Sequence, residues 1–208
     1  SAGQFVFRED QLEKFVSQNK DVEEIKAAKV EATGKYYRLM MEHVKEVLKD
    51  PGKVHPAYDA EEGFELAGFV WFQGWNDMVA GDIYPERGKP GGYDEYSKVL
   101  THFIRDVRKD LNAPEMPFVI GVMGTGGPTD QYGEGQRRYK DVHESFRQAM
   151  AAPAKMPEFK GNVTAVFTEK YWDPELDEVA AKKNKVNAKA KELKASGISA
   201  AEQEEALE

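Results

Sequence analysis

The chain has 208 residues, 40 % of them hydrophobic, a formal net charge of -8 and no cysteine. That length suits one α/β domain with a real core, while the acidic balance excludes the clustered Lys and Arg a nucleic-acid surface needs. Lack of cysteine removes disulfides, thiolate nucleophiles and sulfur-ligated metals, and no apolar run approaches the roughly 18 residues needed to span a bilayer.

The N-terminus has no basic-then-apolar signal pattern and no initiating Met, so Ser1 is expected to be a processed or truncated start. Residues 9 to 50 are charge-rich, with apolar positions at helical spacing: Leu12, Phe15 and Val16, then Tyr36, Leu39, Met40, His43, Val44 and Val47. They predict a variable helical segment and then a packed helix. Asp50-Pro51-Gly52 ends it, because proline cannot continue a helix and glycine tolerates the turn.

Three apolar strand candidates follow, Phe64 to Phe72, Pro117 to Met123 and Val163 to Thr168, separated by helical patterns at about 93 to 111 and 135 to 151. Strands apolar on both faces, alternating with helices, predict a mostly parallel sheet covered by helices through right-handed crossovers. In the first crossover, Tyr96, Leu100, Phe103, Ile104, Val107 and Leu111 make a core stripe, and Arg105, Asp106, Arg108, Lys109 and Asp110 are expected to face out. From Pro174 onward the chain is polar and helix-favouring, which predicts an exposed helix or a frayed tail.

Three loops follow the three strands: Gln73 to Asp77, Gly124 to Gly127 and Thr168 to Asp173. In a parallel sheet such loops share one edge, which is where ligands gather. Oxyanion stabilisation needs fixed N–H donors aimed at a developing carbonyl charge, each worth about 3 kcal/mol. Gln73 or Asn76 offers a side-chain amide and Gly74 lets backbone approach closely. The plainer reading is that Gln73 and Asn76 satisfy buried backbone groups while Asp77 caps the loop. Trp75 and Trp172, in two of the loops, have flat apolar faces suited to sugar rings, whereas Trp71 on its strand belongs to the core. Asp77, Asp82, Asp130 and Asp173 lack the ligand spacing of calcium or zinc sites, so no metal and no cofactor is expected.

The blocks Phe64-Glu65-Leu66-Ala67-Gly68-Phe69-Val70-Trp71-Phe72-Gln73-Gly74-Trp75-Asn76-Asp77-Met78, Tyr93-Asp94-Glu95-Tyr96-Ser97, Phe103-Ile104-Arg105-Asp106-Val107-Arg108, Pro117-Phe118-Val119-Ile120-Gly121-Val122-Met123-Gly124 and Tyr171-Trp172-Asp173 occur in that order. Together, over about residues 36 to 178, they resemble the sialate O-acetylesterase-like carbohydrate esterases of the SGNH-hydrolase superfamily. The resemblance implies a flavodoxin-like three-layer α/β sandwich on a mostly parallel sheet, incomplete here at its N-terminus. It also implies hydrolysis of acetyl esters on sugars by a serine nucleophile with a histidine base, and periplasmic or secreted location. The glutamine of the family's Gln-Gly-Glu-like block, which helps form the oxyanion hole, falls on Gln73, and Trp75 stands where many relatives carry Glu. The organisation expected is a helical insertion at 1–35, the esterase core at 36–178 and a polar helical tail at 179–208.

Two family blocks are missing. No Gly-Gln-Ser-Asn-like segment occurs, since Gly3-Gln4 is followed by Phe5, and no histidine follows His143. None of the six serines, 1, 17, 97, 145, 196 and 199, sits in a strand-to-helix elbow. His43, His102 and His143 fall on predicted helices and His55 in a Pro-flanked loop, and Asp141-Val142-His143 is one residue short of the Asp-x-x-His spacing. No base is assigned among them. The expectation is an internal piece of an acetylesterase, inactive alone, whose Gln73 holds the oxyanion while Asn76 and Asp77 brace the loop. Its partner would be an acetylated carbohydrate, with no nucleic acid or membrane span. A noncatalytic carbohydrate-binding or pseudoenzyme module is the alternative, and a nucleotide-binding flavodoxin-like protein, resting on Gly124 to Gly127 alone, a third. A parallel sheet lacking its first strand exposes an apolar edge, so self-association is expected.

Overall fold

Helix-forming sequence dominates residues 9 to 50, and it folds as a succession of helices in the computed structural model, which describes residues 9–195. Ser1, Gly3-Gln4-Phe5, Ser196, Ser199 and the 200–208 end lie outside the described residues. The chain divides into two units, one of residues 1–66 and 106–114, the other of residues 67–105 and 115–208.

The first unit contains α1 (Glu9–Ser17), α2 (Val22–Ala32) and α3 (Lys35–Lys49). Asp21 starts α2 by accepting the backbone N–H groups of Glu23 and Glu24 at 2.9 and 3.1 Å, a cap worth about 1 kcal/mol. Helix α3 buries Met41 and half-buries Tyr37, Met40, Val44, Val47 and Leu48, and the Tyr37 phenol donates to Asp110 at 2.7 Å. The expected stripe is therefore corrected by rotation. Tyr36 is 84 % exposed, and Leu39 and His43 also face out. Both stripes have spacings of three and four, so period alone does not choose between them; the surface that α3 meets does. As expected, the helix stops before Pro51, where a 3-10 turn spans Pro51–Lys53.

The second unit holds β1 (Phe69–Trp71), α4 (Trp75–Val79), the start of α5 (Asp94–Asp110), β2 (Phe118–Val122), α6 (Lys140–Ala151), β3 (Val163–Phe167) and α7 (Pro174–Ala195). The strands form a parallel sheet in the order β1-β2-β3, with Phe69 opposite Phe118 and Phe118 opposite Val163. The architecture is α/β, as the alternating pattern requires. Strand β1 is shorter than the apolar run Phe64 to Phe72, because its ladder with β2 covers only Phe69, Val70 and Trp71.

Stepwise order with crossovers of one hand puts successive helices on the same side of the sheet. Accordingly Tyr96, Leu100 and Ile104 of α5 and Phe146, Ala149 and Met150 of α6 share one core with Phe118, Ile120 and Val122 of β2. Phe146 packs edge-on to Tyr93 at 4.8 Å and tilted against Tyr96 at 4.7 Å. Residues pointing the other way stay open on the outer strands, with Val70 71 % and Phe72 64 % exposed. Arg108, expected to face out, is buried instead: it lies four residues after Ile104, so the helical period carries it onto the stripe that Leu100 and Ile104 begin. Trp71 is half-buried and packs on Phe103 at 4.3 Å. Helix α7 buries none of its residues, and among the described residues no helix is long and apolar enough to cross a membrane.

Phe146 is fully buried at the centre of this core. Replacing it by alanine removes most of a ring that nothing nearby can refill, so Phe146→Ala is expected to cost about 3–5 kcal/mol, read from the shift of the urea unfolding midpoint.

Candidate functional site

Past the end of β1 the chain must turn at once into α4, and Gly74 is the residue that permits it. A methyl group there would come within 2.8 Å of the Phe146 ring, so the loop rests directly on the core only because the position has no side chain. Three phenols pin the segment. Tyr96 donates to the Gln73 carbonyl at 3.0 Å, Tyr93 to the Met78 carbonyl at 2.6 Å and Tyr84 to the Asp77 carboxylate at 3.3 Å. Burial pushes the Tyr93 phenol up to about 12 and also raises Tyr84 and Tyr96, which keeps all three protonated as donors at neutral pH.

The loop after β2 is held from inside by a charge. Arg147 of α6, only 7 % exposed, donates from Nε to the Met123 carbonyl at 3.0 Å and from Nη2 to those of Thr125 and Gly127 at 3.0 and 2.9 Å. Three carbonyl dipoles satisfy a guanidinium that would otherwise be very costly to bury. The N–H of Gly127 donates to the Gly124 carbonyl at 2.9 Å, and Gly126 and Gly127 take φ values of 83° and 77°. This is a turn whose carbonyls face an arginine, unlike a phosphate cradle, which directs N–H groups at an anion. Gly124 lies so close to the backbone of Thr168 and Glu169 that a side chain has no room. The Thr168 hydroxyl donates to the Val122 carbonyl at 2.8 Å, tying the loop after β3 to the end of β2.

The three loops meet around one cavity of about 720 Å³ at the carboxyl edge of the sheet. Of the residues singled out from sequence, Gln73, Gly74, Trp75, Asn76 and Trp172 line it. Asp77 does not; its carboxylate turns to Tyr84. The side-chain amides of Gln73 and Asn76 are exposed and make no hydrogen bond among the described residues, while the Gln73 main chain is fixed by Tyr96. Arg147 and the Tyr96 anchor escaped the sequence reading. Their signal was faint: an arginine next to Phe146 on an apolar helix face, and a tyrosine that also fits a core stripe.

Residues 20–157 match the family described as carbohydrate esterase, sialic acid-specific acetylesterase. The chain belongs to that family. The matched segment contains β1, β2, α5, α6 and the first two rim loops, and ends before β3. Neither a curated protein nor a solved structure matches the chain.

Carbohydrate esterases are ester hydrolases, so the hydroxyl and imidazole groups matter. Among the described residues each serine hydroxyl donates to a main-chain carbonyl: Ser17 to Lys14 at 2.8 Å, Ser97 to Ala149 at 2.9 Å and Ser145 to Lys89 at 2.9 Å. His143 Nδ1 shares a hydrogen bond with the Tyr132 hydroxyl at 2.6 Å, and the imidazole is held below its usual 6.5 by burial first and by the Arg147 charge second.

A histidine that resists protonation in the fold contributes stability that is complete above the unfolded value near 6.5. That contribution is lost as pH falls below it, because the unfolded chain then binds the proton more readily. Urea midpoints taken from about pH 7.5 down to 5 are expected to fall less steeply for His143→Gln than for the native chain.

Proposed function

We propose that this chain supplies the oxyanion side of a carbohydrate O-acetylesterase, with Gln73 as the side-chain donor and the attacking serine outside these 208 residues. The observation that carries the reading is the free amide of Gln73 beside a cavity at the carboxyl edge of a parallel sheet, its main chain fixed by the Tyr96 hydroxyl. Preorganised donors of this kind stabilise the charge that appears on an acetyl oxygen as it becomes tetrahedral. Asn76 lies beside it as a second amide, and Trp75 and Trp172 offer indole faces to the sugar. A serine hydroxyl, losing its proton to a histidine base, would add to the acetyl carbon. Collapse would expel the sugar oxygen, which regains that proton, and water would then release acetate from the acyl-enzyme.

A noncatalytic carbohydrate-binding module is the rival reading, favoured by the commitment of Ser17, Ser97 and Ser145 to main-chain carbonyls. The two readings share the rim and differ over chemistry. With the chain alone, p-nitrophenyl acetate is expected to be hydrolysed only at the background rate, and a fluorophosphonate probe to label no serine; labelling of any serine here would contradict the proposal. In a polypeptide that also carries the serine and histidine blocks, Gln73→Ala is expected to lower kcat about 10²–10³-fold if the esterase reading holds. An unchanged kcat would remove Gln73 from the oxyanion hole, and no turnover by that longer polypeptide would favour the binding module.

The same reading includes pairing through the open edge of β1, where Val70 and Phe72 stand exposed. Size-exclusion chromatography is expected to show a concentration-dependent shift towards a dimer, and a monomer at all concentrations would remove this part.

A further inference from the structure

On the far side of Trp75 and Trp172 lies a second cavity of about 590 Å³. The two indoles, together with Thr125, line both cavities, so the rim loops form a shared wall between neighbouring spaces. Trp75 is 52 % and Trp172 38 % exposed, which leaves ring face available beyond what the core uses.

The chemistry of the second space is that of a sugar contact. Tyr139, 43 % exposed on the turn before α6, stacks on the His143 ring at 5.9 Å with an angle of 11°, and the Arg138 guanidinium lies over it at 4.6 Å. Held by these two neighbours, Tyr139 brings an apolar ring to the wall of the cavity, a contact suited to the C–H groups of a pyranose. His143 has Nδ1 engaged by Tyr132 and stays neutral near pH 7, leaving Nε2 to meet a hydroxyl, and Gln136 adds an amide with both donor and acceptor capacity. Each cavity alone falls in the range of about 300–1,000 Å³ that accommodates one small ligand, so an acetylated single ring leaves the second unfilled.

We propose that the second cavity is a subsite for the sugar ring linked to the acetylated one, so that the ligand is an O-acetylated oligosaccharide or glycan end rather than a free acetylated monosaccharide. The proposal rests on the reading of the first cavity as the acetyl-sugar site. Trp75 and Trp172 then separate the two rings, and Tyr139 with His143 and Gln136 recognises the outer one.

Calorimetric titration of the full chain with O-acetylated sialyllactose and with O-acetylated N-acetylneuraminic acid tests it. The trisaccharide is expected to bind about 10-fold tighter or more, a difference of about 1.4 kcal/mol. Tyr139→Ala is expected to remove most of that advantage, and Tyr139→Phe, which keeps the ring, to retain it; thermal midpoints report whether each variant folds. Equal affinities for the two sugars, or an undiminished advantage in a folded Tyr139→Ala chain, overturn the outer subsite while the first cavity keeps its reading. Failure of both sugars to bind overturns the two together.

Discussion

Parallel order forces segments that are far apart in sequence to leave the sheet at one edge. With β1, β2 and β3 side by side in that order, the loops beginning near Gln73, Met123 and Thr168 have no choice but to be neighbours. The cavity is the space between those three exits. Its walls are set by which residue each loop can afford there: no side chain at Gly74 and Gly124, a hydroxyl at Thr168, and indoles at Trp75 and Trp172.

Two consecutive residues of α6 tie this rim to the core. Phe146 fills the space beneath Gly74 and meets Tyr93 and Tyr96, the second of which holds the Gln73 carbonyl. Arg147 turns the other way and gathers three carbonyls of the loop after β2. One helix thus fixes two of the three loops by different means, packing for one and a desolvated charge for the other. A rim built this way keeps the backbone of both loops in place without relying on the loops' own rigidity.

Much of this was legible in the residues. The runs around Val70, Ile120 and Val166 gave three strands, the stripe of Tyr96, Leu100 and Ile104 gave the crossover helix, and the abrupt change from Phe72 to Gln73 gave the rim loop. Local pattern reports these features because strand and helix periods are properties of short segments. It chose the wrong face where two periodic answers coincide, as in α3, where the stripe through Tyr37 and Met41 turns inward and the one through Tyr36 and Leu39 does not. It was misleading at Arg108, whose charge suggested solvent although its position continues a buried stripe.

Sequence by itself determined the family, the α/β alternation and the placement of Gln73, Gly74, Trp75 and Asn76 at a strand exit, because each depends on residues adjacent in the chain. Tertiary structure alone decided that Trp172 lines the same cavity as Gln73, that Asp77 turns away to Tyr84, and that Arg147 holds the loop after β2 from α6. All but the Asp77 contact join residues tens of positions apart through the register of the sheet and the docking of α6, and long-range contacts of that kind leave no periodic trace in the chain that makes them.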